Sequence, residues 1–234
     1  VPFYVCHNGE LAIIPTKPIS RPGMTMPTGP IRNWSMSPLI APSAYVRAYR
    51  AEYLDTRDDV AKVWDLVISH DAVCILVHNL DTDALLLVKQ FRPPVYASAI
   101  QRKSDSNLND GFTYELCAGI LDKSHLDVIE TAREEIIEEL GFDIPSSSIR
   151  PITTYHNSTG ILGSVSHLLF AEVREMNRVG NGGGIDTEQI EIVSIPVSEA
   201  QSWMMDDSRA RTAGLLYAFM WFFNVQKASR DRPL

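Results

Sequence analysis

Between Leu126 and Gly141 the chain writes an amphipathic helix that ends in Arg133-Glu-Glu-Ile-Ile-Glu-Glu-Leu-Gly141, with Glu134, Glu135, Glu138 and Glu139 crowded into two turns. Val128, Ile129, Ala132, Ile136 and Leu140 recur at helical spacing, Asp127 is placed to cap the first turn, and Gly141 supplies the stop. No lysine or arginine stands four residues ahead of any of the four acids. Glutamates three and four apart are neighbours on a helix, and each such pair repels by roughly 0.2 to 0.5 kcal/mol in water. The crowding also lies at the helix end where the macrodipole disfavours negative charge. An acidic run is ordinarily a solvated face. This one follows a strand and a glycine turn that can bring backbone oxygen to the same place, and a divalent cation would reverse the sign of the repulsion. Hard oxygen ligands suit Mg2+, which binds through few carboxylates and keeps positions open for water and phosphate.

The rest of the chain predicts strands around that helix. Runs rich in β-branched and aromatic residues occur at Tyr45 to Tyr53, Ala61 to Val67, Ala72 to Asn79 and Ala84 to Phe91, with Leu80-Asp-Thr-Asp83 as a turn. Phe112 to Cys117 reads as one further strand after a polar loop from Arg102 to Asp110. Val165 to Val173 and Gln189 to Val197 read as strands joined by the glycine-rich stretch Gly180 to Gly184, and helices follow near Ser198 to Met205 and Arg209 to Ala228. Strands, one central helix, more strands and terminal helices predict an α+β fold, an α/β/α sandwich on a mixed sheet, rather than a βαβ repeat. Eight of the fourteen prolines fall before residue 43. Residues 1–42 are therefore expected to be a proline-rich tail without regular structure, and residues 43–230 the folded domain with amino-terminal strands.

With 45% apolar and 21% charged residues the composition is that of an ordinary globular chain. A net charge of -8 argues against nucleic-acid binding, which calls for a basic stripe, yet permits a phosphorylated small molecule held through a metal and a few arginines. Cys6, Cys74 and Cys117 are odd in number and form no CxxC pair, as expected of reduced thiols in the cytoplasm. The apolar stretch from Ala213 to Val225 is shorter than the roughly 20 residues of a membrane span, so no membrane association is expected.

The acidic helix resembles the second half of the box of the Nudix hydrolases, G-x5-E-x7-R-E-U-x-E-E-x-G-U with U apolar, matched by Glu135, Ile136, Glu138, Glu139, Gly141 and Phe142. Glu115-Leu-Cys-Ala-Gly119 is similar to the E-L-x-A-G entry of the branch that hydrolyses ADP-ribose and UDP-sugars. The box departs at three places. Glu134 stands at the arginine position, with Arg133 one place early and about 100 degrees round the helix. Gly119 is one residue too far upstream, and Leu126 takes the place of the middle glutamate.

The resemblance implies a set of roles. Glu135, Glu139, Glu188 and the carbonyl of Ala118 would hold Mg2+, or Mn2+ in its place. Glu138, Glu188 or Asp186 would serve as catalytic acids, the last two in Gly182-Gly-Gly-Ile-Asp-Thr-Glu188. Arg92, in Lys89-Gln-Phe-Arg-Pro93, would fork onto diphosphate oxygens. Tyr96, Glu115 and Ser164 would contact substrate, with Tyr114 and Tyr155 as further rings for a uracil, and His156, Ser158 and Gly160 lie in the same loop as Ser164. The activity implied is metal-dependent hydrolysis of a nucleotide sugar, UDP-glucose foremost, to UMP and glucose 1-phosphate. An ADP-ribose or ADP-sugar hydrolase and a catalytically retired nucleotide-binding module stay open. The resemblance further implies a homodimer in which Tyr45 to Val67 reaches the partner.

Overall fold

The computed structural model describes residues 3–7, 10–14, 31, 33–37, 39, 43, 46–102 and 108–227. The chain divides into two compact units, one made of Val1–Tyr45 with Arg92–Gly111, the other of Val46–Phe91 with Phe112–Leu234.

In the first unit β1 (Phe3–His7) and β2 (Glu10–Ile14) pair as an antiparallel hairpin inside the segment read as a tail. Residues 15–30 lie outside the described residues. Helix α1 (Pro93–Arg102), which the periodicity did not predict, starts on two prolines, where fixed φ and a missing N–H suit a first turn. Of the polar loop expected from Arg102 to Asp110, residues 103–107 lie outside the described residues, and Leu108–Gly111 is a 3₁₀ turn whose Gly111 carbonyl accepts from the Arg92 N–H at 2.8 Å.

The second unit carries a two-stranded ribbon, β3 (Arg47–Asp55) with β4 (Val60–Ile68), and a seven-stranded mixed sheet. The sheet orders β11 (Glu191–Pro196), β6 (Ala84–Phe91), β5 (Ala72–Asn79), β10 (Val165–Val173) and β9 (Ile149–His156). β7 (Phe112–Glu115) pairs with β6 and β8 (Cys117–Ile120) with β5. β5 and β10 run parallel and the other pairs antiparallel, as the α+β reading requires. The period of two along β5 decides the layers. Val73, Ile75 and Val77 face α2 (Val128–Glu135), packing with Ala132, Ile136 and Leu140. Leu76 faces the other way, with Leu85 and Leu87, onto α3 (Val197–Met204) and α4 (Ala213–Trp221) through Ala200, Leu215 and Phe219. The expected α/β/α sandwich is therefore present, with the acidic helix on one face and α3 and α4 on the other.

One local expectation is corrected, and one strand was missed. The single strand expected from Phe112 to Cys117 breaks at Leu116, because its halves pair with different neighbours. β9 went unpredicted: it pairs on one side only, is largely exposed, and carries Pro151 at a register shift, so it shows neither alternation nor an apolar run. The stretch Gly180–Gly184 lies in the connection between β10 and β11 as expected, and these two strands are separated in the sheet by β6 and β5. Among the described residues no helix is long and apolar enough to cross a membrane.

Candidate active site

Helix α2 begins as the sequence predicts. The Asp127 carboxylate accepts from the backbone N–H groups of Ile129 and Glu130 at 2.8 and 2.9 Å. At its other end the α-helix gives way after Glu135 to one wider π turn, Ile136–Leu140, which carries Glu138 and Glu139 and closes on Gly141 with φ 77°. The free carbonyls of that turn are satisfied by the glycine stretch. Gly183 N–H donates to Glu139 O at 2.9 Å, Gly184 N–H to Glu138 O at 3.1 Å, and Val179 N–H to Gly141 O at 2.9 Å. Gly182 sits at φ +64°, and a Cβ there would come within 2.4 Å of the Glu139 carbonyl oxygen, so the approach is open to glycine alone. The loop between β10 and β11 is thereby fastened to the end of the acidic helix and brings Glu188 with it. Glu188 is exposed, its N–H bonded to Ile185 O at 2.9 Å and its carboxylate accepting from Ile185 N–H at 3.3 Å.

From the sheet side β8 closes in. The Ala118 N–H donates to the Glu139 carboxylate at 2.9 Å, which holds this buried acid in place. This contact engages the Ala118 nitrogen, whereas the metal role that the resemblance implies belongs to its carbonyl. At the next residue a Cβ on Gly119 would stand 1.8 Å from Oε1 of Glu135. Absence of a side chain at Gly119 is what lets Glu135 lie against the strand. Cys117 is buried beneath Glu139, and burial first, then that carboxylate, raises its thiol well above the ordinary range.

These approaches make Glu135 the electrostatic centre of the cluster. Burial, followed by the charges of Glu139, Glu138 and Glu188, pushes its carboxyl up to about 8, against the opposing pull of Lys123. Among the described residues no three His, Cys, Asp or Glu side chains form a metal cage by themselves. The donor set nevertheless fits Mg2+ or Mn2+, for which one or two carboxylates suffice when water and phosphate oxygens complete the shell. A cation added beside Glu135 would offset the burial and the like charges that raise its carboxyl.

The other sequence-predicted residues fall elsewhere. Glu115 is buried and accepts from the Thr113 hydroxyl at 2.5 Å. Asp186 is exposed at φ 51° on the glycine loop. Arg92 and Tyr96 belong to the first unit, where Tyr96 packs edge-on against Trp34 with centroids 4.9 Å apart. Ser164 lies in the loop after β9, its carbonyl accepting from Asn157 N–H at 3.4 Å. That loop is tied to the ribbon, since the Trp64 indole donates to Gly160 O at 2.9 Å and Val67 N–H to Ile161 O at 2.8 Å. Tyr114 packs edge-on against Trp203, and the Tyr155 hydroxyl reaches Cys74, so both rings serve the core. Sequence reasoning missed Lys123, which meets Glu134 through the fold, and Thr113, which meets Glu115 two residues along the same strand.

An α/β/α sandwich, expected from the element order, here joins an acid-crowded helix end to the acidic glycine loop that the resemblance pointed to. No family model matches the chain. The chain is 34% identical over 205 residues to mouse uridine diphosphate glucose pyrophosphatase NUDT14, covering 80% of this chain and 91% of that protein. The cattle protein of the same name is 36% identical over 182 residues, covering 70% and 82%. GDP-mannose pyrophosphatase of Salmonella typhimurium strain LT2 is 33% identical over 126 residues, covering 54% and 60%. A crystal structure of an ADP compounds hydrolase shares the fold, with a TM-score of 0.61 at 14% identity over 83% of this chain and 92% of the other. The chain belongs to the Nudix-type pyrophosphatases related to these two nucleotide-sugar enzymes.

Proposed function

We propose that the chain hydrolyses the diphosphate bond of a nucleotide sugar with Mg2+ or Mn2+ bound at the acidic helix, UDP-glucose being split to UMP and glucose 1-phosphate. One observation carries the reading: Glu135 is enclosed by Glu138 and Glu139 of its own helix and Glu188 of the docked loop, an arrangement that repels itself unless a cation is gathered. The similarity to NUDT14 across most of both chains supports the choice of uridine.

Glu135, Glu139 and Glu188 would hold the metal, with Ala118 lining the site beside them. When bound, such a metal polarises phosphoryl oxygens and makes water a stronger nucleophile. Glu138 or Glu188 takes the proton of the attacking water, with Asp186 a further candidate on the same loop. Glu139 is fixed by the Ala118 N–H. Arg92, Tyr96, Glu115 and Ser164 are assigned to substrate on the sequence resemblance.

The test is product analysis with purified protein and Mg2+ on UDP-glucose, ADP-glucose, ADP-ribose and GDP-mannose. Fastest release of UMP and glucose 1-phosphate supports the proposal. Preference for an adenine substrate moves it to the ADP-sugar reading, and no product from any of them overturns it. Glu134 and Leu126, two of the departures from the box, favour a second reading, a retired nucleotide-binding module; residual turnover indifferent to Glu139→Gln would support that one. We also propose a cytoplasmic homodimer formed through the β3–β4 ribbon, on which Tyr49, Leu54, Val63 and Trp64 are each more than half exposed. A monomeric mass by light scattering would refute it.

A further inference from the structure

Glu134 occupies the box position where the resemblance implies an arginine, so the acidic helix has one carboxylate too many and lacks its cation. Arg133 does not turn back to fill the place. Its guanidinium is committed on the other side, with Nε donating to Ile144 O at 3.0 Å and a terminal nitrogen 2.7 Å from Asp143. The cation comes instead from the loop between β8 and α2. Lys123 Nζ lies 2.6 Å from Oε2 of Glu134, and both side chains are about half exposed at the rim of the cluster.

We propose that Lys123 is a positioning residue that neutralises Glu134, keeping this surplus carboxylate out of the metal shell and reserving Glu135 for the cation and Glu138 for the proton of the attacking water. The proposal rests on the metal-binding reading given above. Its support is placement. Besides Glu134, the charges of Glu138 and then Glu135 act on the ammonium. Glu134 and Glu138 are four residues apart, and a freed Glu134 carboxylate is within side-chain reach of the ground that Glu138 covers. An exposed ion pair is a weak restraint, at most about fivefold in an equilibrium, and that suffices to bias which of two neighbouring carboxylates a cation selects.

The experiment compares full-length wild type with Lys123→Met, Lys123→Arg, Glu134→Gln and Lys123→Met/Glu134→Gln in two ways: Mn2+ titration calorimetry without nucleotide, and steady-state kinetics on UDP-glucose. Lys123→Met should bind Mn2+ tighter, because a competing cation is gone and a carboxylate is freed, while kcat falls by about fivefold, the full span of an exposed pair. Adding Glu134→Gln to it should restore both quantities, and Lys123→Arg should stay near wild type. A simple tether between loop and helix, or a lysine that touches the diphosphate, predicts no recovery in the double variant. Weaker or unchanged Mn2+ binding by Lys123→Met, or a double variant as slow as Lys123→Met, overturns the proposal. Loss of turnover already in wild type would instead sink the assigned activity, and the Mn2+ titrations would still decide the role of Lys123.

Discussion

Gly119→Ala is a small perturbation aimed at the point where strand and helix meet. The added Cβ would lie 1.8 Å from Oε1, 2.1 Å from Cδ and 2.6 Å from Cγ of Glu135. Ordinary contact begins near 3.4 Å, so the carboxylate must retreat by about 1.6 Å. The backbone gives less readily than the side chain, because β8 is paired along its length with β5 and α2 is packed through Ala132 and Ile136. Swinging Glu135 outward relieves the clash and also carries it away from the carboxylates that repel it, so stability should change by no more than about 1 kcal/mol, or 2 to 4 °C in Tm for a domain of this size. Catalysis should suffer far more. Misplacement of a catalytic group by 1 Å is worth roughly 100-fold, and a loss in kcat of about that size is expected. The assay is the initial rate of UMP release from UDP-glucose at saturating Mg2+, with a thermal melt as the control for folding. Because both substitutions act through the same carboxylate, Gly119→Ala/Glu135→Ala should be no slower than Glu135→Ala alone. A folded Gly119→Ala protein with kcat within about threefold of wild type would refute the placement of Glu135 in the chemistry.

The raised Glu135 carboxyl predicts a pH dependence of the metal-free protein. The folded state holds a proton up to about 8 that the unfolded chain releases near 4.5, so this contribution to stability is complete below the lower value and lost as pH climbs to the higher one. Melts of chelator-treated protein should show Tm falling across that window, and Glu135→Gln should remove this part of the slope; an identical slope in the variant would count against the assignment. Asp127→Ala deletes the cap of α2 and should lower stability by about 1 kcal/mol, seen as a drop in the urea midpoint with an unchanged m-value. Gly182→Ala drives a Cβ toward a backbone oxygen that cannot yield and should destabilise by about 1 to 3 kcal/mol. It should also loosen the loop that carries Glu188, so kcat measured well below the variant's Tm should fall, and an unchanged kcat would detach that loop from the reaction.

Much of the fold was legible because the signal was local. The limits of β5, β6 and β10 follow from short apolar runs, and the start of α2 from one aspartate before an apolar period. Segments that the pattern missed lack such a signal: α1 is a short helix opened by prolines, and β9 is a polar strand at the sheet edge. The crowded glutamates were legible for the same reason, since their spacing alone puts like charges on adjoining turns.

What the sequence determined by itself is therefore the presence of an acid-rich helix end that requires compensation, together with the apolar strands that bury the helix's other face. Only the tertiary structure decided how that requirement is met. It set Glu135 against the bare backbone of Gly119, held Glu139 on the Ala118 N–H, tied the 180–184 loop to the carbonyls of the π turn and supplied Lys123 to Glu134. Each of these joins residues 11 or more apart in the chain. Helical and strand periods report which face a residue occupies, whereas such contacts depend on where two elements approach, and that is set by packing across the sheet.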